Sequence, residues 1–370
     1  MGSATPGESP AWSGGQALRT FADVPAAVER LLAGGERRAV GVVLLDAFGR
    51  RFRERHAAHP FLRRLDVTEI ATQFPSTTTA HVTTMHTGRP VGAHGLYEWN
   101  VYEPALDQVV TPILHAGPAG ALGIDPGTFI DGDTIYQRLA VPSTVLHPAT
   151  FSPSTYDGVF TAGARLRPYA SLPDGVDEFF AALAAGGYVY LYWDRIDLLG
   201  HLHGPASAEF DGAATAALDA LEAGLRRVPG ALLLVTADHG QVPVDPERVD
   251  YLDELWPGLA PLLAHGPAGS ARDVFLHTPA ADEVAAGLAE RLGERAEVRL
   301  VADMVADGLF GEVGPRLRAR LADVCVLPVG NRTAWLRSAA GTAQRFRGHH
   351  GGLHPDEVET WVGALELGYS

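Results

Sequence analysis

Residues 39–46 read AVGVVLLD, an apolar run that ends at Asp46. A continuous apolar run of this length is typical of a strand buried on both faces, as in a parallel sheet. Open α/β sheets bind ligands just beyond the carboxyl ends of such strands, where Asp46 would lie. From this stretch alone, Asp46 could equally cap the Arg-rich helix predicted to follow it.

Two further apolar runs end in the same way, at residues 188–192 and 231–236. The polar residues that follow them are Asp197 and His201 after the first run, and Asp238 and His239 after the second. Asp197 and His201 are four residues apart, so one helical turn would place both on the same face. A salt link would explain that pair by itself. Three buried strands that each deliver an Asp indicate a shared site.

The order of these elements predicts a doubly wound α/β fold, with a mostly parallel central sheet and helices on both faces. We expect residues 1–20 to be a flexible leader, because they are rich in Gly, Ser, Ala and Pro and lack the pattern of a secretory signal. We expect residues 21–370 to form a single domain, since no long linker divides them. The Pro- and Gly-rich segment 101–170 predicts a small insertion on the substrate side.

Composition excludes several classes of protein. Apolar residues make up 46% of the chain and charged residues 20%, as in a globular protein. The net charge of −15 argues against a nucleic-acid polymer or an anionic membrane as partner. No apolar run approaches the roughly 18 residues that predict a membrane-spanning helix, so we expect a cytoplasmic protein. Cys325 is the only cysteine, which leaves imidazole and carboxylate as the available metal ligands.

Two other stretches carry side chains suited to chemistry. A run of three threonines, Thr77–Thr79, follows Pro75 and opens a short helical segment. Hydroxyls there would face free backbone N–H groups and the positive end of the helix dipole, which stabilise anionic oxygens. Residues 348–355 read GHHGGLHP, and histidines between glycines predict a tight turn with exposed imidazoles. An ordinary helix cap and a solvated loop are the alternatives on local grounds.

Together these motifs resemble the alkaline phosphatase superfamily, specifically its nucleotide pyrophosphatase/phosphodiesterase branch. The resemblance covers most of the chain and depends on five motifs in the family order. They are Val-Val-Leu-Leu-Asp46, Phe-Pro-Ser-Thr-Thr78 with Thr-Gly88 and His94-Gly95, Asp197-Leu-Leu-Gly-His201 with Gly204-Pro205, Thr-Ala-Asp238-His239-Gly240, and His350-Gly-Gly. Each motif is weak alone, but the ordered set is specific. The resemblance implies an alkaline phosphatase-like fold.

The resemblance also implies two divalent metal ions, most often zinc. The residues that correspond to the ligands of one metal are Asp197, His201 and His350. Those that correspond to the ligands of the other are Asp46, Asp238, His239 and the nucleophile. Nitrogen and oxygen ligands with an open position suit a catalytic zinc site, and Mn²⁺ also accepts such ligands.

The family's nucleophile corresponds to one of the threonines. The spacing to the Thr-Gly88 turn selects Thr78, with Thr77 as the close alternative. The resemblance implies that the Thr78 alkoxide attacks phosphorus, giving a phospho-threonine intermediate that water then hydrolyses. The implied substrate is a small phosphoric ester, such as a nucleotide, cleaved at a phosphodiester or pyrophosphate bond.

Charge counting favours a diester. Three Asp ligands and a threonine alkoxide would balance two divalent ions, so a monoester dianion would need a further cation. No Lys or Arg lies between Leu65 and Gly88. The candidates elsewhere are Arg50, Arg89 and Arg347.

The sequence departs from the family at one position. The phosphodiesterase branch has an Asn that binds a non-bridging phosphate oxygen, and the family spacing places Trp99 there, with Asn100 one residue later. We expect Asn100 to bind substrate after a one-residue shift. Trp99 would stack on a base or line an apolar pocket, with structural packing as its alternative.

Two other functions stay open. A phosphomonoesterase of the same superfamily would use the same ligands. A metal- or phosphate-binding protein without catalysis would share the site, although the intact threonine and ligand set speak against it. The sequence predicts no oligomeric state.

Overall fold

The computed structural model describes residues 9–13, 15, 17–35, 37–152, 154–339 and 345–368. Part of the expected leader, namely residues 1–8, 14 and 16, lies outside the described residues. Within the part that is described, Trp12 and Leu18 are buried in a cluster with residues of the first helix.

The helices alternate with strands along the chain. They are α1 (Asp23–Ala33), α2 (Arg50–Arg55), α3 (Thr78–Thr87), α4 (Val91–His94), α5 (Ile135–Arg138), α6 (Thr155–Phe160), α7 (Leu172–Ala185), α8 (Arg195–His203), α9 (Ala208–Gly224), α10 (Leu252–Leu255), α11 (Ala281–Leu292), α12 (Val301–Ala306), α13 (Pro315–Arg320) and α14 (Pro355–Val358). Short 3-10 turns lie at Ala11–Ser13, Leu62–Arg64, Pro112–Leu114, Pro126–Phe129, Ala149–Phe151, Ala260–Leu262, Gly293–Arg295 and Arg337–Ala339.

The strands belong to one large sheet, one smaller sheet and several two-stranded ladders. They are β1 (Ala39–Leu45), β2 (Asp66–Ala71), β3 (Val101–Glu103), β4 (Gln108–Val110), β5 (Ala116–Gly117), β6 (Gly120–Ala121), β7 (Ser143–Pro148), β8 (Arg165–Tyr169), β9 (Gly187–Trp193), β10 (Ala231–Thr236), β11 (Val242–Pro243), β12 (Val249–Tyr251), β13 (Ala268–Ser270), β14 (Asp273–Leu276), β15 (Ala296–Leu300), β16 (Val324–Pro328), β17 (Thr333–Trp335), β18 (Gly348–His349) and β19 (Glu359–Glu366).

The central sheet has seven strands within the described residues, in the order β2-β19-β10-β1-β9-β7-β8. Strands β10, β1, β9, β7 and β8 are parallel to one another, while β19 is antiparallel to both of its neighbours. Every residue of β1 is buried, as expected of a strand covered on both faces. The predicted mostly parallel α/β sheet is confirmed.

Helices cover both faces of this sheet. On one face, Phe179 of α7 and Leu221 of α9 share a buried cluster with Val43 of β1. On the other face, Leu31 of α1 shares a buried cluster with Val42. Because side chains alternate along a strand, consecutive residues of β1 contribute to the two separate cores.

A smaller antiparallel sheet, in the order β13-β14-β16-β15, forms beside the central one. The segment 101–170 divides between two places: its first part forms the ladders β3–β4 and β5–β6, and its second part adds β7 and β8 to the central sheet. Among the described residues, none of the helices has both the length and the apolar character to cross a membrane.

Candidate active site

The carboxyl ends of three parallel strands meet at one edge of the central sheet. Asp46 follows β1, Asp238 follows β10, and Asp197 lies in the first turn of α8, directly after β9. The backbone N–H of Asp46 donates to the carbonyl of Trp193 at 3.0 Å, so β1 and β9 stay in register up to the site. The structure therefore brings together the three carboxylates that sequence analysis singled out.

Asp197, His201 and His350 form one compact group of nitrogen and oxygen atoms. Nε2 of His201 is 3.2 Å from Oδ2 of Asp197, and Nε2 of His350 is 3.6 Å from Oδ1. The Nδ1 atoms face away, towards the carbonyls of Gly348 at 2.8 Å and Ser76 at 3.0 Å. Hydrogen bonds at Nδ1 fix the tautomer in which Nε2 is free to ligate a metal.

A second group surrounds Asp46. Nε2 of His239 is 3.4 Å from Oδ1 of Asp46 and 3.4 Å from Oδ2 of Asp238. Asp197 lies close enough to belong to this group as well, since its donor atom, that of Asp46 and that of His239 are all within 4.8 Å of one another. The two groups are therefore adjacent and share Asp197, whereas sequence analysis placed Asp197 with only one of them.

Thr78 faces the second group. It is the first residue of α3, and Thr77 is the N-cap. Oγ1 of Thr78 is 3.0 Å from Nε2 of His239 and 3.4 Å from Oδ1 of Asp46. Thr78 is half-buried, while Thr77 and Thr79 are buried. A hydroxyl at this position lies at the positive end of the helix dipole.

The electrostatics of the site suit bound cations. Burial, together with the charges of Asp238 and Asp197, raises the pKa of Asp46 well above its usual value. Burial, with a smaller contribution from the charge of Asp197, raises the pKa of Asp238 to about 7. The ion pairs of these three carboxylates within the described residues all involve histidine, not Lys or Arg. A buried ionised carboxylate is costly unless a proton or a cation such as a metal ion neutralises it. Burial acts to lower the pKa of His201, but the charge of the adjacent Asp197 carboxylate raises that pKa overall.

The donor atoms of the site fit divalent metals. Burial lowers the pKa of His239 to about 3 and that of His350 well below its usual value, so both imidazoles are neutral near pH 7. Neutral imidazole is the form that ligates metals. Oδ2 of Asp238 is buried and has no hydrogen-bond partner among the described residues, as expected of an atom oriented to hold an ion. Nitrogen and oxygen donors without thiolate are those of catalytic zinc or manganese sites.

Three residues that sequence analysis missed orient these groups. Tyr192 donates a hydrogen bond from Oη to Oδ2 of Asp46. Gln241 donates from Nε2 to the side chain and, at 3.1 Å, to the carbonyl of Asp197. Ser76 accepts from His350 through its carbonyl and holds the next residues of that loop through its hydroxyl. Tyr192 lies in an apolar strand and Gln241 follows a histidine-glycine pair, so neither has a sequence pattern that would reveal this contact.

A cavity of about 680 Å³ is lined by Thr78 and by Asp197, His201 and His350, and it carries the predicted substrate-binding residues. Trp99 and Asn100 line it, together with the aromatic side chains of Trp335 and Phe346. Trp99 is 42% exposed, so its ring is available to a ligand. Nδ2 of Asn100 donates to the carbonyl of Gly269 at 3.1 Å, and its Oδ1 accepts from Thr111 at 3.0 Å. The Asn100 amide is thus already partly engaged by the cavity wall.

Comparisons with known proteins bear on the family and the fold of this chain. A family model described as type I phosphodiesterase/nucleotide pyrophosphatase matches residues 40–353. The human ectonucleotide pyrophosphatase/phosphodiesterase 5 structure superimposes with a TM-score of 0.67 at 16% identity, over 88% of this chain and 87% of that chain. A search of curated protein sequences returned no match.

Two further solved structures share the fold. An inactive threonine-to-alanine variant of murine ectonucleotide pyrophosphatase/phosphodiesterase 5, in complex with AMP, gives a TM-score of 0.66 at 18% identity, over 88% of this chain and 87% of that chain. Phosphonoacetate hydrolase from Sinorhizobium meliloti, in complex with phosphonoacetate, gives 0.63 at 17% identity, over 89% of this chain and 90% of that chain. At these identities the structures establish the fold alone.

Proposed function

Since the chain belongs to the type I phosphodiesterase/nucleotide pyrophosphatase family, we propose that it hydrolyses phosphodiester or pyrophosphate bonds in small phosphoric esters with Thr78 as nucleophile. One observation carries the proposal: Oγ1 of Thr78 lies 3.0 Å from His239 and 3.4 Å from Asp46, at the first turn of α3. The hydroxyl is thus placed both among the candidate metal ligands and at the wall of the cavity.

The proposed ligands divide between two divalent ions, with Zn²⁺ as the first choice. Those of one ion are Asp197, His201 and His350, and those of the other are Asp46, Asp238, His239 and Thr78. When bound, such ions lower the pKa of a coordinated hydroxyl and neutralise charge on the attacking and leaving oxygens.

The residues of the chain then have separate tasks. The deprotonated hydroxyl of Thr78 attacks phosphorus and forms a phospho-threonine, while the P–O bond to the leaving group breaks. An alkoxide from a phosphodiester, or a phosphate from a pyrophosphate, departs on the side of Asp197 and His201. Water attacks the phospho-threonine and restores the hydroxyl. The N–H groups of the first turn of α3 stabilise negative charge on the phosphoryl oxygens. The inactive murine variant with a threonine replaced by alanine supports a threonine nucleophile, and its AMP complex supports a nucleotide substrate.

Charge favours a diester over a monoester. A monoester dianion needs one more positive charge than a diester, yet two of the three candidate arginines are engaged elsewhere. Arg50 pairs with Glu54 at 2.9 Å and with Glu69 at 3.1 Å. The guanidinium of Arg89 donates to the carbonyls of Asp131 and Asp133. With two of the three candidate arginines engaged, we favour a substrate whose phosphate group carries a single negative charge.

Matched aryl esters test the proposal. Zinc-loaded protein should hydrolyse bis(p-nitrophenyl) phosphate and thymidine 5′-p-nitrophenyl phosphate with a higher kcat/KM than p-nitrophenyl phosphate. Dialysis against a chelator should abolish turnover, and Zn²⁺ or Mn²⁺ should restore it. A higher kcat/KM for the monoester would favour a phosphomonoesterase. Metal binding without any turnover would favour a non-catalytic binding protein.

A further inference from the structure

A buried ion pair lies between the smaller sheet and the segment that follows His350. Arg272 lies between β13 and β14 and is 1% exposed, and Glu357 of α14 is 0% exposed. Nε and Nη2 of Arg272 donate to the two carboxylate oxygens of Glu357 at 3.1 and 2.9 Å. Nη1 donates to the carbonyls of Gly330 at 3.0 Å and Arg332 at 2.7 Å. This bidentate geometry fixes the relative orientation of the two side chains as well as the distance between them.

The same carboxylate holds the loop of His350. Oε1 of Glu357 accepts from the N–H of Gly352 at 3.0 Å, and Oε2 accepts from the N–H of His354 at 3.3 Å. The backbone carbonyl of Glu357 accepts from the N–H of Gly240 at 3.1 Å, next to His239. Glu357 therefore contacts segments that carry one candidate ligand from each metal group.

Close packing adds to this restraint. Gly351 has a φ of +123°, and a Cβ there would lie 2.7 Å from Oδ1 of Asp273 and 2.7 Å from Oγ of Ser270. Oγ of Ser270 is also 3.3 Å from the carbonyl of His350. The loop thus lies directly against the turn that carries Arg272, at a distance that only glycine permits.

We propose that Arg272 and Glu357 are positioning residues, which hold the loop of His350 in its ligand geometry before a metal ion binds. The inference rests on the proposed function, since it takes His350 as a metal ligand. A loop that contains consecutive glycines loses much conformational entropy when it is ordered. When the fold has already ordered the loop, that loss no longer weakens metal binding.

A second buried pair provides a matched control. Arg320 donates to Oε2 of Glu103 at 2.8 and 3.2 Å, and the two residues are 3% and 4% exposed. The remaining bond of this guanidinium is to the carbonyl of Gly95 at 3.3 Å. Within the described ranges, none of these side-chain bonds reaches a candidate metal ligand.

The test compares Glu357→Gln and Arg272→Lys with Glu103→Gln in the full chain. Zn²⁺ affinity is measured by competition with a chromophoric chelator, and ligand geometry is followed by the visible spectrum of the Co²⁺ form. We expect Glu357→Gln and Glu103→Gln both to lower the unfolding temperature. Glu357→Gln should weaken one of the two zinc sites by about 10–100-fold, and Arg272→Lys should weaken the same site less. Glu103→Gln should leave both zinc sites at wild-type affinity.

Wild-type affinity in both Glu357→Gln and Arg272→Lys, or an equal loss in Glu103→Gln, would overturn the inference. If the wild-type protein bound no second zinc ion, the ligand assignment of the proposed function would fail together with it. If all variants bound two zinc ions equally well, the positioning role would be contradicted but the ligand assignment would not.

Hydrogen exchange on the wild-type protein gives an answer that does not depend on how the variants fold. In metal-free protein, the amides of Gly352 and His354 should exchange slowly, because Glu357 already holds them. Exchange at the rate of an exposed loop, slowed only when Zn²⁺ is added, would contradict the inference.

Discussion

At the scale of single residues, the proposed metal ligand Asp46 is a buried carboxylate held by two neighbours. Tyr192 donates to one oxygen of Asp46, and the other oxygen lies 3.4 Å from Nε2 of His239. Burial raises the pKa of Asp46, and the charges of Asp238 and Asp197 raise it further. The Tyr192 hydroxyl favours the ionised form and sets its orientation.

Tyr192→Phe should therefore weaken Zn²⁺ binding by about 10-fold, as expected when a hydrogen bond to a ligand is lost. Tyr188→Phe is the matched control, because Tyr188 lies in the same strand and its hydroxyl has no partner among the described residues. Chelator competition measures both affinities. An equal effect of the two substitutions, or none from Tyr192→Phe, would show that the Tyr192 contact does not orient the ligand.

Sequence analysis could single out Asp46, Asp197 and Asp238 because each follows an apolar run of strand length. It could not assign Asp197 to both metal groups, because that depends on how close α8 lies to β1. It could not find Tyr192 either, since a tyrosine in a buried strand has an ordinary packing role. Asn100 could be named from the family spacing, but its bond to Gly269 comes from a strand 169 residues away in sequence.

At the scale of elements, β1 supports the site because it lies between β9 and β10 and carries Asp46 at its end. Its middle is packed without spare room: a Cβ on Gly41 would lie 2.5 Å from Cζ of Phe179 and 3.2 Å from Cδ1 of Leu183. Helix α7 thus packs directly on the backbone of the strand.

Gly41→Ala should destabilise the fold by about 1–3 kcal/mol through overpacking, with little change in kcat. Gly212→Ala in α9 is the control, since a Cβ there meets no atom within 4 Å. That change should stabilise the helix by up to about 1 kcal/mol. Urea unfolding measures both, and a stable Gly41→Ala protein would show that α7 can move away from β1.

The buried strands of the central sheet could be predicted because they are long, continuous and apolar. Strand β7 and the edge strand β8 could not be assigned to that sheet, because they lie in a Pro- and Gly-rich segment and are only partly buried. The smaller sheet was also beyond sequence analysis. Its strand β14 pairs with β16 across roughly 50 residues of chain, and no local pattern specifies such a pairing.

At the scale of the whole molecule, the described chain buries titratable groups whose effects on stability oppose one another. Burial lowers the pKa of His94 to about 3, so the unfolded chain takes up a proton below pH 6.5 that the folded chain does not. The contribution of neutral His94 to the free energy of unfolding is therefore present above pH 6.5 and is lost as the pH falls. Burial raises the pKa of Glu98 to about 7. The contribution of protonated Glu98 to the free energy of unfolding is therefore lost as the pH rises through 7.

Two variants should separate these opposing effects. Between pH 7.5 and 5.5, the wild type should lose on the order of 1 kcal/mol of unfolding free energy relative to His94→Gln. Over the same range it should gain unfolding free energy relative to Glu98→Gln. Urea unfolding at both pH values, in the presence of a chelator, measures the two differences. Differences that do not change with pH, or that have the same sign, would contradict the burial of these groups.

The proposal that Thr78 is the nucleophile is tested most directly by finding which residue carries the transferred phosphoryl group. Wild-type protein turning over a diester is quenched with acid, and its peptides are analysed by mass spectrometry. We expect phosphate on Thr78, no phosphate in Thr78→Ala together with a loss of kcat of about 10³-fold or more, and continued labelling of Thr78 in Thr77→Ala. Phosphate on Thr77, or wild-type turnover in Thr78→Ala, would contradict the account.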